Sequence, residues 1–502
     1  MRQRATTDSS PGAAADGSPG AASRSPGAGS GSPRGLLVTG AAEVATLAGG
    51  LRRGGAQDEP AIAPPGTTVA CLAGRIVAVA AEVEAREALA AALAETGASP
   101  DACDVIDATG GTVTPALVDP HTHLLFAGSR EGEVVLRQRG ASYLEILAAG
   151  GGILATVAAT RAASDAQLLA HGRRWLGEML RHGATTVEAK SGYGLDTATE
   201  LRLLAIAGRL AAEGPVDVIP TFLGAHAVPA EVRAAHPDAA AAAEAYVRAV
   251  IEEQLPAVAA QGFARSVDVF CEVGVFSPEQ ARRILQAARE RGLEIRLHAD
   301  ELAPSGAAEL AAELGVLSAD HLGCPSPAGI AALAAAATGP RPVVAVLLPT
   351  VPWFLGLALR EPARDLIEAG VPVAIGTDFN PGTSPVPSLP LAMSVAMFHL
   401  GLTPAEVLAA TTVNAAAALG LADRGTLEPG RRSDLVVWNA PTHAQLPYWA
   451  GADLVRVVVV GGKLVVAGGR GVAGGHAVGG RRALARSRAG ARSRALEGGA
   501  TP

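Results

Sequence analysis

The middle of the chain, from about residue 114 to 424, alternates short apolar runs with longer segments in which apolar residues recur every three or four positions. Short runs predict buried strands, and the longer segments predict amphipathic helices. Eight strands are predicted: Val113–Val118, Ala184–Ala189, Val216–Leu223, Val267–Cys271, Glu294–Leu297, Leu317–Ala319, Val343–Leu348 and Val371–Ile375. Helices are predicted between most of them: Asp165–His182, Ala198–Ala212, Ala240–Gln261, Pro278–Arg291 and Gly306–Leu314. This α/β alternation favours a (β/α)8 TIM-like barrel, and a doubly wound sheet is the alternative that strand counting separates poorly.

Strand-and-turn patterns also flank this middle region on both sides, around residues 68–79 and 425–465. Neither set is expected to fold alone, because isolated hairpins are only marginally stable. The predicted solution is one small β-sandwich domain built from both chain ends, 35–113 and 425–467. The barrel, 114–424, is then an insertion in that domain.

The two termini have a different composition. Residues 1–34 are mostly Ser, Pro, Gly, Ala and Arg, and residues 468–502 turn Gly-rich and then basic, so both are predicted to be disordered. The basic tail leaves nucleic-acid contact open as a weaker alternative. A net charge of -7 nevertheless argues against nucleic acid as the main partner.

Composition narrows the setting of the protein. The hydrophobic fraction of 49% with only 3% aromatics reflects alanine, valine and leucine rather than a membrane span. The most apolar stretch, Val343 to Leu359, is short and is broken by Pro349 and Pro352, so no membrane partner is expected. With no secretory signal and four widely spaced cysteines, a cytoplasmic location is predicted.

Polar residues collect where the predicted strands end, which is where a barrel carries its chemistry. His121 and His123 share one side of the first strand because successive side chains alternate. A single histidine is more often an ordinary loop residue than a ligand. However, five of the 11 histidines follow predicted strands, and that concentration indicates a functional site: His121, His123, His226, His298 and His321.

This arrangement resembles the amidohydrolase superfamily in its mononuclear-metal branch and, within it, the imidazolonepropionase family. The resemblance covers roughly Gly35 to Val466. Its most specific motifs are Asp119-Pro120-His121-Thr122-His123, Lys190-Ser191-Gly192-Tyr193-Gly194, Phe222-Leu223-Gly224-Ala225-His226, Leu297-His298-Ala299, Ser318-Ala319-Asp320-His321 and Thr377-Asp378-Phe379-Asn380-Pro381-Gly382-Thr383.

The resemblance implies one divalent or trivalent metal ion per subunit, zinc or iron, held by His121, His123, His298 and Asp378. One ion is favoured because the fourth strand ends in Phe270-Cys271-Glu272 and lacks the lysine that bridges two metals in the other branch. The implied reaction is hydrolytic opening of 4-imidazolone-5-propanoate to N-formimidoyl-L-glutamate in histidine degradation. Glu301 is the expected general base, and His321 is the expected holder of the carbonyl oxygen.

The expected substrate contacts are, by the same resemblance, Arg130, Tyr193, His226, Glu301, Asn380, Gly382 and Thr383. Arg130 suits the propionate because a guanidinium binds a carboxylate through two hydrogen bonds. Gly382 suits a backbone donor because no side chain blocks close approach. The family also implies a homodimer. Two alternatives stay open: a cytosine- or guanine-type deaminase, which would release ammonia, and a catalytically silent binding barrel.

Overall fold

The computed structural model describes residues 34–141, 145, 151–358, 360–468 and 470–471. Of the residues predicted to be disordered, 1–34 and 468–502, all but Arg34, Gly468, Arg470 and Gly471 lie outside the described residues. The strands are β1 Gly35–Thr39, β2 Glu43–Val44, β3 Thr67–Leu72, β4 Arg75–Ala81, β5 Cys103–Asp107, β6 Thr112–Pro115, β7 Leu117–Asp119, β8 Ala184–Lys190, β9 Asp217–Ala225, β10 Ser266–Cys271, β11 Glu294–Ile295, β12 Leu297–Ala299, β13 Ser318–His321, β14 Val344–Leu347, β15 Val373–Ile375, β16 Leu435–Trp438, β17 Val455–Val460, β18 Lys463–Ala467 and β19 Arg470–Gly471.

The described α-helices are α1 Glu82–Glu95, α2 Glu131–Gln138, α3 Ile153–Ala162, α4 Asp165–Arg181, α5 Thr197–Glu213, α6 Ala230–Ala234, α7 Ala239–Ala249, α8 Leu255–Gln261, α9 Pro278–Glu290, α10 Ala307–Leu314, α11 Pro327–Ala336, α12 Thr350–Leu355, α13 Ala363–Glu368, α14 Leu389–Leu400, α15 Pro404–Ala410, α16 Val413–Ala418 and α17 Gln445–Tyr448. A π-helical turn at Val250–Gln254 joins α7 to α8, so the predicted helix Ala240–Gln261 is one helical segment with a wider turn inside it. Among the described residues, no helix has the length and apolar character needed to cross a membrane.

Eight parallel strands form the barrel. They pair in the order β7, β8, β9, β10, β12, β13, β14 and β15. The two-residue strand β11, which directly precedes β12 in the chain, also pairs with β10. The first and last strands meet beyond their ends, where His123 N–H donates to Phe379 O at 2.9 Å and Asp378 N–H donates to His121 O at 3.0 Å. The predicted (β/α)8 barrel is confirmed. Its closure brings the residues after β7 directly against those after β15.

The chain ends build two further sheets. One has the order β4-β3-β1-β5, and the other has the order β19-β18-β17-β16-β6-β2. In the second sheet, C-terminal β16 pairs antiparallel with β6, which precedes the barrel. A shared apolar core lies between the sheets, with these buried members among others: Leu36, Val69, Ile106, Val437 and Val459. Both ends of the chain therefore contribute to one β structure, as the sequence predicts.

The predicted first barrel strand, Val113–Val118, is in fact two strands. Val113 packs in the core of the end sheets, whereas Leu117 packs in the barrel core. Between them Ala116 N–H donates to Asp434 O at 3.0 Å, and β7 then pairs with β8. The apolar run is continuous because both of its halves are buried, the first in the end sheets and the second in the barrel.

The sheet region also contains elements that the apolar pattern does not predict. Helix α1 covers one face of the first sheet and buries Ala85, Leu89 and Leu93. Its alanine-rich sequence gives little contrast between the buried and exposed faces, so the periodicity is weak. Strand β19 lies beyond the predicted end of this region at 467, because Gly468, with φ of +58°, turns the chain back onto β18.

Candidate active site

Two overlapping groups of buried ligand-type side chains lie at the carboxyl end of the barrel. One group is His121, His123 and Asp378, and the other is His121, His298 and His321. Within each group, the candidate ligand atoms lie within 4.8 Å of one another. The four predicted metal ligands are thus brought together around His121, and His321 joins them on one side.

The protonation states and unused atoms of this cluster fit a metal cation. Nε2 of His121, Nε2 of His298 and Oδ1 of Asp378 are buried and make no hydrogen bond with the described residues. Burial lowers the pKa values of His121 and His123 well below the usual value, which favours the neutral imidazole that binds metals. Burial raises the pKa of Asp378 well above its usual value, and Glu301 adds to this. Unpaired buried polar atoms are costly, and a cation would pair with all three.

Two carboxylates orient these imidazoles from below. Asp320 Oδ2 lies 2.6 Å from His121 Nδ1, and Asp268 Oδ2 lies 3.0 Å from His298 Nδ1. The first contact is a hydrogen bond. Asp268 is close to the His298 ring without hydrogen-bond geometry, and it accepts the backbone N–H of His298 at 3.2 Å. Nε2 of both rings makes no hydrogen bond with the described residues. Such carboxylate–histidine pairs fix ring orientation and tautomer in metal sites.

A buried charge network, consisting of Glu188, Lys190, Asp268, Arg296 and Asp320, supports these carboxylates. Lys190 Nζ lies 2.7 Å from Asp268, 2.9 Å from Glu188 and 3.6 Å from Asp320. Arg296 lies 3.1 Å from Asp320. All five side chains are at most 1% exposed, and the sequence analysis did not identify this network. Asp268 gave a signal in the sequence, because it lies within the apolar run Val267–Cys271, and an unpaired charge is costly inside a buried strand.

Glu301 and His321 face each other beside the ligand cluster, with 3.8 Å between Glu301 Oε1 and His321 Nδ1. Burial raises the pKa of Glu301 to about 7, with Glu272 adding to the shift and His298 opposing it. Glu272 also accepts a hydrogen bond from the Leu302 N–H at 3.0 Å, so it holds the backbone next to Glu301. A carboxyl that titrates near neutral pH is suited to moving protons.

The backbone takes left-handed φ values at three turns of this site. They are +50° at Asp300, +74° at His321 and +48° at Asp378. Residues other than glycine rarely adopt this backbone conformation, and where they do, contacts with the surrounding structure must stabilise it. Asp300 shows how: its carboxylate accepts the N–H groups of Ser305 at 2.7 Å and Ala308 at 2.9 Å. The strand therefore ends at Ala299, and the chain turns at Asp300, just before Glu301.

An open cleft lies beside Glu301 and His321; its empty space of about 260 Å³ includes space open to solvent. It is lined by Glu301, Leu302, His321, Gly323, Val351, Pro352, Leu357 and Glu361. Sequence analysis did not select Glu361, which is 6% exposed and follows the seventh barrel strand at a distance of 14 residues. No local motif points to it, because only the folded loop brings it to the cleft.

An aromatic group lies on another side of the cluster. The rings of His123 and His226 stack with centroids 4.8 Å apart, and the Tyr193 ring lies 5.6 Å from that of His123. The loop that carries Tyr193 is held by Glu200, whose buried carboxylate accepts the N–H groups of Gly192 and Gly194. Burial lowers the pKa of His226 to about 3 and raises that of Tyr193, so both are neutral near pH 7.

Arg130 is a cation at the barrel mouth that is already held in place. Glu133 accepts hydrogen bonds from its Nε at 3.0 Å and its Nη2 at 2.9 Å. The guanidinium lies against Gly382, where an added Cβ would come within 2.0 Å of Arg130 Nη1. Position 382 therefore leaves room for Arg130.

The loop after β15 is organised by Asn380. Its Oδ1 accepts the N–H groups of Gly382 and Thr383, each at 2.8 Å, and its Nδ2 donates to Asp378 Oδ2 at 3.1 Å. The Gly382 N–H, expected from the sequence to face substrate, thus has a partner within the loop. These three predicted substrate contacts lie together and are connected to the ligand cluster through Asp378.

Comparison with known proteins agrees with this barrel fold. The amidohydrolase family model matches residues 126–466 of the chain. The structure of atrazine chlorohydrolase from Arthrobacter aurescens TC1 complexed with zinc has a TM-score of 0.58 at 19% identity, covering 88% of this chain and 97% of that one. An adenosine deaminase from Xanthomonas campestris with bound zinc also has a TM-score of 0.58, at 21% identity and with coverages of 88% and 94%. The fold and the family match make this chain an amidohydrolase.

Curated sequences narrow the family further. The imidazolonepropionase of Geobacillus kaustophilus (strain HTA426) is 51% identical over 394 residues, which cover 78% of this chain and 88% of that protein. The imidazolonepropionase of Symbiobacterium thermophilum is 48% identical over 436 residues, which cover 86% and 98%. Within the amidohydrolases, the chain belongs to the imidazolonepropionase family.

Proposed function

We propose that this protein opens the ring of imidazolone propanoate by hydrolysis, giving N-formimidoyl-L-glutamate in histidine degradation. The names and full-length similarity of its relatives support the reaction. The observation that carries the chemistry is the position of Glu301, a carboxyl with a pKa near 7, beside a cluster of neutral imidazoles with unpaired nitrogen atoms. Amide hydrolysis needs a proton acceptor next to the carbonyl carbon and a group that polarises the carbonyl; Glu301 supplies the first, and the ligand cluster would hold a metal ion for the second.

The residues proposed to hold one zinc or iron ion are His121, His123, His298 and Asp378. When bound, such an ion lowers the pKa of a coordinated water from 15.7 to about 7 and polarises a carbonyl oxygen. Asp320 and Asp268 lie beside the Nδ1 atoms of His121 and His298, and the Nε2 atoms of both rings have no partner among the described residues. His321 lies within ligand range of His121 and His298 but is assigned to the substrate, because it is also paired with Glu301.

Glu301 accepts a proton from the attacking water and passes it to the ring nitrogen that leaves. The new bond joins the water oxygen to the carbonyl carbon, and the bond that breaks joins this carbon to the ring nitrogen. His321 holds the carbonyl oxygen while negative charge develops on it. Its partner Glu301 keeps the ring within reach of the same carbon.

Arg130 is proposed to bind the propionate, with Tyr193, His226 and the Asn380–Thr383 loop fixing the rest of the substrate. Glu133 holds two guanidinium nitrogens, so the cation is ordered before substrate arrives. Pre-ordered groups lose less entropy on binding. The imidazole of His226 is neutral, and its Nδ1 lies 3.0 Å from the Gly192 carbonyl oxygen, which leaves Nε2 as an acceptor.

The test is turnover of freshly generated imidazolone propanoate by metal-replete protein, followed through the loss of its ultraviolet absorbance with ammonia assayed in parallel. Substrate loss without ammonia, abolished by a chelator and restored by zinc or ferrous iron, is the expected result. Ammonia release would instead indicate a deaminase, and no turnover would indicate a silent barrel. We further propose a cytoplasmic homodimer, which light scattering on the full chain tests for its subunit count.

A further inference from the structure

We propose that Glu361 is a specificity-determining residue whose free carboxylate oxygen binds a ring N–H of the substrate. This inference rests on the proposed function, because the imidazolone ring is the group to be recognised. It adds a third carboxyl to a site in which Glu301 and Asp378 were expected from the sequence.

Only one of the two Glu361 oxygens has a partner. Oε1 accepts the Leu348 N–H at 3.1 Å, which fixes the carboxyl at the end of β14. Oε2 is buried and makes no hydrogen bond with any described residue. A buried carboxylate oxygen without a donor is costly, so this atom marks a place where a donor from outside the chain would be stabilised.

The cleft containing Glu361 is chemically matched to N–H groups. Within the described part of the chain, its lining has two carboxyls and one imidazole but no lysine or arginine. The remaining lining includes Val351, Pro352 and Leu357, which suit the faces of a small planar ring. A carboxylate ligand would be repelled there by Glu301 and Glu361. The substrate's propionate therefore belongs with Arg130, and the N–C–N side of its ring belongs with Glu361.

The pKa of Glu361 agrees with a role for an incoming donor. Burial, with a smaller contribution from Glu301, raises this pKa to about 7, although backbone hydrogen bonds oppose the shift. An N–H placed on Oε2 stabilises the ionised form and offsets part of this burial cost. The carboxylate contributes to substrate binding by this contact and takes no part in the transfer of protons to the leaving nitrogen.

Glu361→Gln tests the contact because the amide keeps an oxygen for Leu348 and replaces Oε2 with a donor. We expect KM for imidazolone propanoate to rise about tenfold, with kcat changed less than twofold. Calorimetry with two probe ligands then distinguishes the loss of the contact with the ring N–H from a general distortion of the binding site. The Kd of imidazole propanoate, which carries a ring N–H, should rise about tenfold, while the Kd of furan propanoate, which lacks one, should stay within twofold.

Glu368→Gln is the matched control, since it removes the same charge from an exposed position on the adjacent helix α13. Metal content and melting temperature are compared in all variants, and Glu361→Asp replaces the Gln variant if that one does not fold. Unchanged KM, or equal weakening of both probes, overturns the role of Glu361. A wild-type protein that binds the probes but does not turn over imidazolone propanoate overturns the proposed function instead, and the two-probe comparison still decides the role of Glu361.

Discussion

The two charged layers of the barrel differ in whether their carboxylates have a cationic partner among the described residues. In the charge network beneath the imidazoles, Lys190 and Arg296 lie within 3.6 Å of oppositely charged carboxylates. In the layer above, Glu301 has only the His321 ring at 3.8 Å, and one oxygen of Glu361 has no partner among the described residues. The lower layer is buried, whereas the Glu301 side chain is 16% exposed. The lower layer supports the imidazoles, and we propose that substrate and metal complete the contacts of the upper one.

The largest expected effect comes from the upper layer. Glu301→Gln keeps the size of the side chain but removes its ability to accept a proton, so kcat should fall by about 10²–10⁴. Metal content and the melting temperature should stay near wild type, since Glu301 holds no strong pair in the structure. Steady-state kinetics at matched metal content measure this effect. Near-full turnover would remove Glu301 from the role of base.

A mutation in the charge network should instead lower the stability of the protein. Lys190→Met leaves three buried carboxylates without their shared cation, and the free energy of unfolding should drop by about 3–5 kcal/mol. Urea unfolding followed by circular dichroism measures this loss. The protein has one other lysine, Lys463, which is exposed, and Lys463→Met should change stability by less than about 0.5 kcal/mol.

Metal affinity sharpens the same comparison. Because Lys190 holds Asp268, which in turn contacts His298, chelator competition should show zinc bound about 10–100-fold more weakly in the Lys190→Met variant. Unchanged affinity and unchanged stability together would contradict a supporting role for the lower layer.

A smaller effect is expected for the cation at the barrel mouth. Arg130→Ala removes the predicted propionate partner, and KM should rise about tenfold while kcat changes less. Arg341→Ala, at an exposed ion pair with Glu294, is the control and should leave both constants unchanged. Equal KM values for Arg130→Ala and wild type would place the propionate elsewhere.

The smallest expected change is in the pH profile. Burial raises the pKa of Glu301 to about 7, and a general base must be ionised, so kcat/KM should fall about tenfold per pH unit below that value. Activity is retained above the pKa and lost as the pH falls through it. The residual activity of Glu301→Gln, measured across the same range, should lack this acidic limb.

The sequence predicts those parts of the fold and of the site that have a local pattern of residues. The barrel follows from alternating strands and helices, and the candidate ligands follow from histidines and an aspartate placed after strands. Glu361 could not be found this way, because its position depends on how an irregular loop returns to Leu348. Lys190 was visible in a motif, but its three carboxylate partners come from three different strands and are known only from the fold.

The close approach of Gly382 to Arg130 constrains how this protein can change over evolutionary time. Any side chain at 382 would meet the Arg130 guanidinium, which would have to move away from Glu133, so we expect a mutation there to disturb this ion pair while arginine occupies position 130. If Arg130 were lost first, the space would open and substitutions at 382 would become tolerable. The two positions are 252 apart in sequence, yet the effect of a mutation at one depends on the residue at the other. The order in which mutations occur at positions 130 and 382, and not only their identity, therefore decides which pairs of residues can evolve there.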